Sequence, residues 1–182
     1  EKPLTDRVDD DIKRLLRKKH SITINEALAM IFQSYPDGLT PDTKSVSSVL
    51  EKYATRSSGK WVMKSTLEND FTQHTAALKK LVKIGQSNKF EIFIGKREQP
   101  ELIDGAQLKS IADHTDLSIL NDSGNEKIKR LEMIDMLWID NNEIKYAIEV
   151  ENSTNFTSGI QRASNLNPTL PKIMVLPDAR EN

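Results

Sequence analysis

Two β-rich segments constrain this chain more than anything else in it. They are Ile134-Asp135-Met136-Leu137-Trp138-Ile139 and, after a polar turn, Tyr146-Ala147-Ile148-Glu149-Val150-Glu151. Short apolar runs rich in branched and aromatic residues predict strands, and the brief polar break predicts a hairpin. Strand side chains alternate faces, so Glu149 and Glu151 point the same way with Cα atoms about 7 Å apart, and Ile148 and Val150 fill the opposite face. Asp135 interrupts an apolar run from Met133 to Ile139, where an unpaired charge is costly. Two readings are open. In one, Asp135 is a partly exposed edge residue and the two glutamates line the solvent face of a half-buried strand. In the other, the three carboxylates gather around a hard divalent cation. Mg²⁺ is usually held by one or two carboxylates plus waters and substrate phosphates, and that reading points to phosphodiester chemistry.

Further residues extend the pattern: Ile148-Glu149-Val150-Glu151-Asn152-Ser153-Thr154, Ser158-Gly159-Ile160-Gln161-Arg162 and Val175-Leu176-Pro177-Asp178. With Ile134 to Trp138 they make the tract from Ile134 to Glu181 resemble a PD-(D/E)xK nuclease core. More narrowly, it is similar to the restriction-endonuclease-like domain of some bacterial DNA restriction and modification proteins. The resemblance extends loosely back to about Asn69. It implies Asp135 and Glu149 as metal ligands for Mg²⁺ or Mn²⁺, and Asp135, Glu149 and Glu151 as the catalytic acids. Glu151 stands where the motif usually has lysine. Some restriction enzymes of this fold carry Glu there and still cleave. Glu151 suits a base or a further ligand, but not a cationic stabiliser. The superfamily often adds an acid from the first core helix, for which Glu68 is the weak candidate.

No rival site competes. There is no cysteine, which excludes thiol catalysis and cysteine-ligated zinc. His20, His74 and His114 are scattered and read as surface or capping residues. The seven glycines form no phosphate-cradling loop. After Glu151, the polar stretch Asn152 to Gly159 offers several N-caps, and a short helix is expected from about Gly159 to Asn165. Its Gln161 and Arg162 would lie beside the carboxylates, where a helix N-terminus attracts phosphate. Lys172 to Pro177 reads as a further buried strand.

The N-terminal part reads as helical and separate. A charged helix is expected from Leu4 to Lys19. Thr23 and Glu26 have capping-box spacing, Tyr35 to Gly38 is a turn, and Thr40-Pro41 opens another helix with Thr40 as cap. Val46, Val49, Leu50 and Tyr53 give that helix an apolar stripe. Ser57-Ser58-Gly59 breaks the chain before a short strand, Lys60 to Lys64. Helix, turn, helix and lysine-flanked strand resemble a winged helix. On that reading the helix from Pro41 to Thr55 is the recognition element, with Lys44, Ser45, Ser48, Lys52, Arg56 and Lys60 as DNA contacts. A small helical subdomain that packs on the nuclease core or binds protein is the open alternative. Residues 1–64 hold 12 Lys+Arg against 9 Asp+Glu, whereas 65–182 hold 14 against 18, so basic character lies where DNA binding is expected and acidic character where the metal is.

A boundary is expected near residues 65–70. Phe71 to Ile84 should form a helix with Ala77, Leu78, Leu81, Val82 and Ile84 inward, ended by Gly85 to Asn88. Phe90 to Ile94 should be a strand ended by Gly95. Lys96 to Arg130 reads as long and polar, with a short helix around Ala106 to Ala112 and a loop at Asn121 to Asn125. Loops of that length are usually functional or mobile.

The expected fold is α/β (α+β): a small winged-helix-like domain over residues 1–66, then a restriction-endonuclease-like core over 67–182 with a central mixed sheet flanked by helices. The resemblance implies a metal-dependent endodeoxyribonuclease of restriction type. The alternative is an inactive nuclease-fold DNA-binding or assembly module of a restriction-modification system. DNA is the expected partner, with a methyltransferase or other such subunit beside it. Double-strand cutting calls for two active sites and hence a homodimer. No apolar run approaches the ~20 residues that span a bilayer, and the lack of cysteine fits a cytoplasmic setting. The chain begins at Glu1 rather than Met, as a processed or excised chain would.

Overall fold

The computed structural model describes residues 4–36, 40–120, 124–151, 160, 164 and 166–176. The architecture is mixed α+β, and its contacts divide it into two compact units, Glu1–Asp70 and Phe71–Asn182. None of the described helices is long and apolar enough to cross a membrane.

In the first unit the helices are α1 (Leu4–Lys19), α2 (Ile24–Ser34) and α3 (Thr43–Tyr53). Val8, Ile12 and Leu16 recur every four residues along α1 and are buried, as a single core-facing stripe requires. His20 closes α1 in the left-handed conformation, with φ 56°. Thr23 and Glu26 form the full capping box at the start of α2. The start of α3 differs from expectation. Asp42 is its N-cap, accepting from the Ser45 N–H at 2.7 Å, while the Thr40 hydroxyl donates to the Tyr35 carbonyl. A carboxylate caps and also answers the positive end of the helix dipole, which a hydroxyl does not.

Helix α3 also stops at Tyr53, two residues short of Thr55. The chain there turns into β2 (Ala54–Ser57), which pairs antiparallel with β3 (Lys60–Met63). Ser58 and Gly59, at φ 48° and 77°, make the tight turn that right-twisted hairpins favour. Strand β1 (Ser21–Ile22) joins the other edge of β3, giving the order β1-β3-β2. Neither β1 nor β2 was legible as a strand.

Helix α4 runs Ser65–Ser87, longer than the expected Phe71 to Ile84 at both ends. Gly85 does not end it. A Cβ at Gly85 would lie 2.5 Å from Ile92 Cδ1 and 2.7 Å from Trp138 Nε1, so the glycine lets helix and sheet touch. After Ser87 the chain leaves the helix through Lys89, with φ 64°, and the Phe90 N–H reaches back to the Gly85 carbonyl at 3.0 Å.

The core sheet has the order β4-β7-β8-β9, from β4 (Glu91–Ile94), β7 (Met136–Asp140), β8 (Glu143–Val150) and β9 (Lys172–Val175). Strands β4, β7 and β8 are antiparallel neighbours, and β9 runs parallel to β8. The predicted hairpin is present: β7 and β8 meet through Asn141-Asn142, both at positive φ, with Met136 opposite Ile148. Alternation divides the apolar residues between two faces. Ile92, Ile94, Met136, Trp138, Ile148 and Val150 pack with Leu78 and Val82 of α4. Phe93, Leu137, Ile139 and Ala147 pack with Leu117, Leu131, Ile134 and Leu166 on the other side. Strand β9, expected to be buried, is an edge strand and only half-buried.

The long polar stretch is more ordered than expected. It holds the hairpin β5 (Leu102–Ile103) and β6 (Ala106–Gln107), a 3-10 turn at Leu108–Ile111, and helix α5 (Asn125–Leu131). Ala106 and Gln107, expected to be helical, are extended instead. Asp104-Gly105 takes positive φ at both residues and makes a hairpin turn before them.

Candidate active site

The antiparallel register brings the start of β7 beside the end of β8. Asp135 immediately precedes β7, Glu149 is the penultimate residue of β8, and Glu151 directly follows that strand. Glu151 prolongs the pairing with β9, its N–H donating to the Val175 carbonyl at 2.9 Å. Asp135 is 2 % exposed, Glu149 1 % and Glu151 8 %. That overturns the reading in which these acids face solvent.

The two oxygens of Asp135 are held differently. Oδ2 accepts the backbone N–H of Val150 at 2.9 Å and lies 3.4 Å from His74 Nε2. Oδ1 lies 3.3 Å from Arg97 Nη2, which also donates to the Met133 carbonyl at 3.1 Å. The contact with His74 corrects the expectation that this residue is a surface or capping group. His74 precedes Leu78 and Val82 at helical spacing, so the stripe that buries those two also turns the imidazole inward. That i, i+4, i+8 pattern was in the sequence and could have marked His74.

Arg97 and Glu98 were not anticipated either. Strand β4 ends with Ile94 opposite Met136, so the residues after β4 arrive beside Asp135. A tight turn follows, in which the N–H groups of Glu98 and Gln99 both donate to the Gly95 carbonyl at 3.0 Å. Gly95 has no room for a Cβ, which would collide with the Ile134 carbonyl and the Glu98 carboxylate. Glu98 is 6 % exposed, and its Oε2 has no hydrogen-bond partner among the described residues, nor do His74 Nδ1 and Arg97 Nε. Glu101 receives the Thr75 hydroxyl at 2.8 Å.

Charge balance follows from this crowding. Burial pushes the Glu98 carboxyl up to about 7, aided by the negative charge of Asp135 and opposed by Arg97 and His74. Burial works against the charged His74 imidazole. It is outweighed by the hydrogen bond and charge of Asp135 and by the charges of Glu101 and Glu98, so His74 is raised above its usual value.

In kind, these donors suit a hard cation, since Mg²⁺ needs only one or two carboxylates and takes its remaining oxygens from water and phosphate. They do not form a complete cage: among the described residues no three acidic or histidine side chains converge on a metal position.

The remaining expected site residues lie elsewhere. Lys44, Ser48 and Lys52 recur every four residues along α3 and are exposed, as are Ser45, Arg56 on β2 and Lys60 on β3. Lys52 shares its charge with Asp9 at 3.5 Å. Glu68 is exposed in the first turn of α4. Gln161 and Arg162 lie outside the described residues, as does the polar stretch before them; Ile160 and Ser164 are helical.

Residues 58–180 match the family model described as the Type II restriction enzyme NmeDI C-terminal domain. No curated protein and no solved structure matches the chain.

Proposed function

The chain belongs to the family of the type II restriction enzyme NmeDI C-terminal domain, and from that premise we propose that it is a metal-dependent endodeoxyribonuclease of PD-(D/E)xK type. One observation carries the reading: Asp135, Glu149 and Glu151 are all buried at one end of two paired strands, where a surface that merely bound DNA would gain by losing negative charge.

Asp135 and Glu149 are the residues that would hold Mg²⁺ or Mn²⁺. Such an ion would supply polarisation of a phosphate and a lowered pKa for an attacking water. The chain's own groups do the rest. The Val150 N–H and His74 fix the orientation of the Asp135 carboxylate. The burial of Glu149 keeps bulk water from competing for it. Glu151, an acceptor where the motif usually has a lysine, takes the proton of the attacking water.

The first unit is assigned as a winged-helix-like DNA-binding domain over residues 1–66, ahead of a nuclease core over 67–182. Its element order α1-β1-α2-α3-β2-β3 and the exposed Lys44, Ser48 and Lys52 of α3 support that reading, with Arg56 and Lys60 on the hairpin that follows. Double-strand cutting then implies a homodimer. The inactive-module reading is favoured by two features: Glu151 in the lysine position, and the hold of Arg97 on Asp135.

Supercoiled plasmid separates the two. Nicking with Mg²⁺ or Mn²⁺ that EDTA stops and Asp135→Ala lacks is the expected result. Retention of DNA in a gel shift with no cutting under either metal would make this a binding module.

A further inference from the structure

The motif places a lysine where this chain has Glu151, so β8 presents a carboxylate where a positive charge is wanted. The turn after β4 brings one to Asp135, the first acid of the cluster. Arg97 Nη2 lies 3.3 Å from Asp135 Oδ1 and 3.5 Å from Glu98 Oε1. The Met133 carbonyl anchors the same nitrogen at 3.1 Å. The side chain keeps 22 % of its surface exposed, while its Nε carries a buried N–H with no acceptor among the described residues. A guanidinium offers five donors in a planar fork that fits phosphate oxygens. Here Nη2 is tied to the carboxylate cluster, and the part of the side chain that stays exposed is what a phosphate would meet. His74 is less suited to the task, because its Nε2 faces an Asp135 oxygen that already takes the Val150 N–H.

We propose that Arg97 is a catalytic residue that replaces the missing lysine: from the turn after β4 it meets the non-bridging oxygens of the phosphate being cut. This rests on the nuclease reading above. The rigid turn around Gly95 explains how a residue outside the strand keeps the position. The contact with Asp135 holds the guanidinium at the carboxylates until a phosphate arrives.

Three measurements on Arg97→Ala and Arg97→Lys test it, each beside a melting curve. Binding of a labelled DNA duplex in EDTA is followed across a salt series. Loss of one phosphate contact lowers the slope of log affinity against log salt by about one, so Arg97→Ala should show that loss and Arg97→Lys should not. Mn²⁺ alone is titrated by calorimetry. Removing a neighbouring cation removes repulsion, so Arg97→Ala should bind Mn²⁺ at least as tightly as the unaltered protein. Plasmid cutting at saturating metal should fall at least about tenfold in kcat, with partial recovery in Arg97→Lys.

A folded Arg97→Ala protein with unchanged slope and turnover overturns the proposal. So does one that loses Mn²⁺ affinity in step with turnover, because Arg97 would then only position Asp135. If Arg97→Ala does not fold, Arg97→Gln decides: a slope lowered by about one with reduced cutting supports the assignment, and unchanged slope and turnover overturn it. Failure of the unaltered protein to cut with either metal removes the nuclease reading instead, a result distinct from any difference between variant and unaltered protein.

Discussion

The β7–β8 hairpin carries acidic side chains at both ends and treats them in opposite ways. At its closed end Asp140 and Glu143 flank the Asn141-Asn142 turn. Glu143 is 74 % exposed and meets Lys145 at 2.6 Å, and that hydrogen bond and charge lower its pKa. At the open end Asp135, Glu149 and Glu151 are buried, and the neighbouring Glu98 is pushed up to about 7. The residue types and the strands are the same; access to water differs. An exposed carboxylate is kept charged by solvent and a neighbouring lysine. A buried one depends on fixed donors such as the Val150 N–H, and where donors run short the proton stays on. Perturbed, buried acids concentrate where chemistry is done. That contrast makes the open end the candidate site.

The largest test of the contrast is a pair of isosteric changes. Glu149→Gln should lower metal-dependent cutting of plasmid at least about a hundredfold, the scale on which one placed charged group contributes. Glu143→Gln, on the same strand, should leave it within about twofold. Equal losses would break the comparison, because they would mean that both ends serve the reaction or that neither does.

The second test is the proton balance of the open end. Burial pushes the folded Glu98 carboxyl up to about 7, from an ordinary value near 4.5. Between those values the native state binds the extra proton, so this group's contribution to stability falls as pH rises from about 4.5 to about 7 and is flat beyond. His74, raised above 6.5, acts in the same direction: its contribution is complete below 6.5 and is lost as pH climbs through the raised value. Denaturant midpoints measured from about pH 5 to pH 8 should therefore decline. Glu98→Gln, which cannot ionise, should flatten the decline and be the more stable protein at about pH 8. Unchanged slopes would show that Glu98 is charged in the folded protein throughout.

Sequence reading reached the closed end and the three acids of the open end, and missed what surrounds them. Alternating apolar residues and a short polar turn are local signals, and they predicted the hairpin; the register then sets Asp135 and Glu149 at one end of it. Arg97 and Glu98 meet Asp135 only because β4 pairs with β7 in one particular register, and nothing within residues 96–98 records that pairing. His74 carries its signal only as part of a helix face, through its spacing from Leu78 and Val82; as an isolated histidine it carries none. Gly85 looks locally like a helix end, but its lack of a side chain serves the packing of α4 against Ile92 and Trp138.

The third test turns to the closed end, whose value should be structural. Asn141 and Asn142 sit at φ 53° and 59°, a conformation asparagine and glycine tolerate and branched residues do not. Asn142→Val should cost roughly 1–2 kcal/mol of unfolding free energy, the penalty of a left-handed residue, and Asn142→Gly only a few tenths. Plasmid cutting per folded molecule should stay as it is in both. A drop in cutting without a drop in stability would tie the turn to the site at the other end.

The smallest expected effect is the most pointed for the comparison. Lys145→Ala removes the partner of Glu143, and a naive count of ion pairs would score that as a loss. Both side chains stand in water, at 74 % and 36 % exposure, two residues apart on one face of β8. Their attraction is screened, and holding two long side chains in one geometry costs entropy that offsets it. The denaturant midpoint should not move measurably, and salt should not reveal a difference between the two proteins. A shift as large as that of Asn142→Val would mean that the closed end also holds its charges by fixed structure rather than by solvent. Burial would then no longer be what separates the two ends of the hairpin.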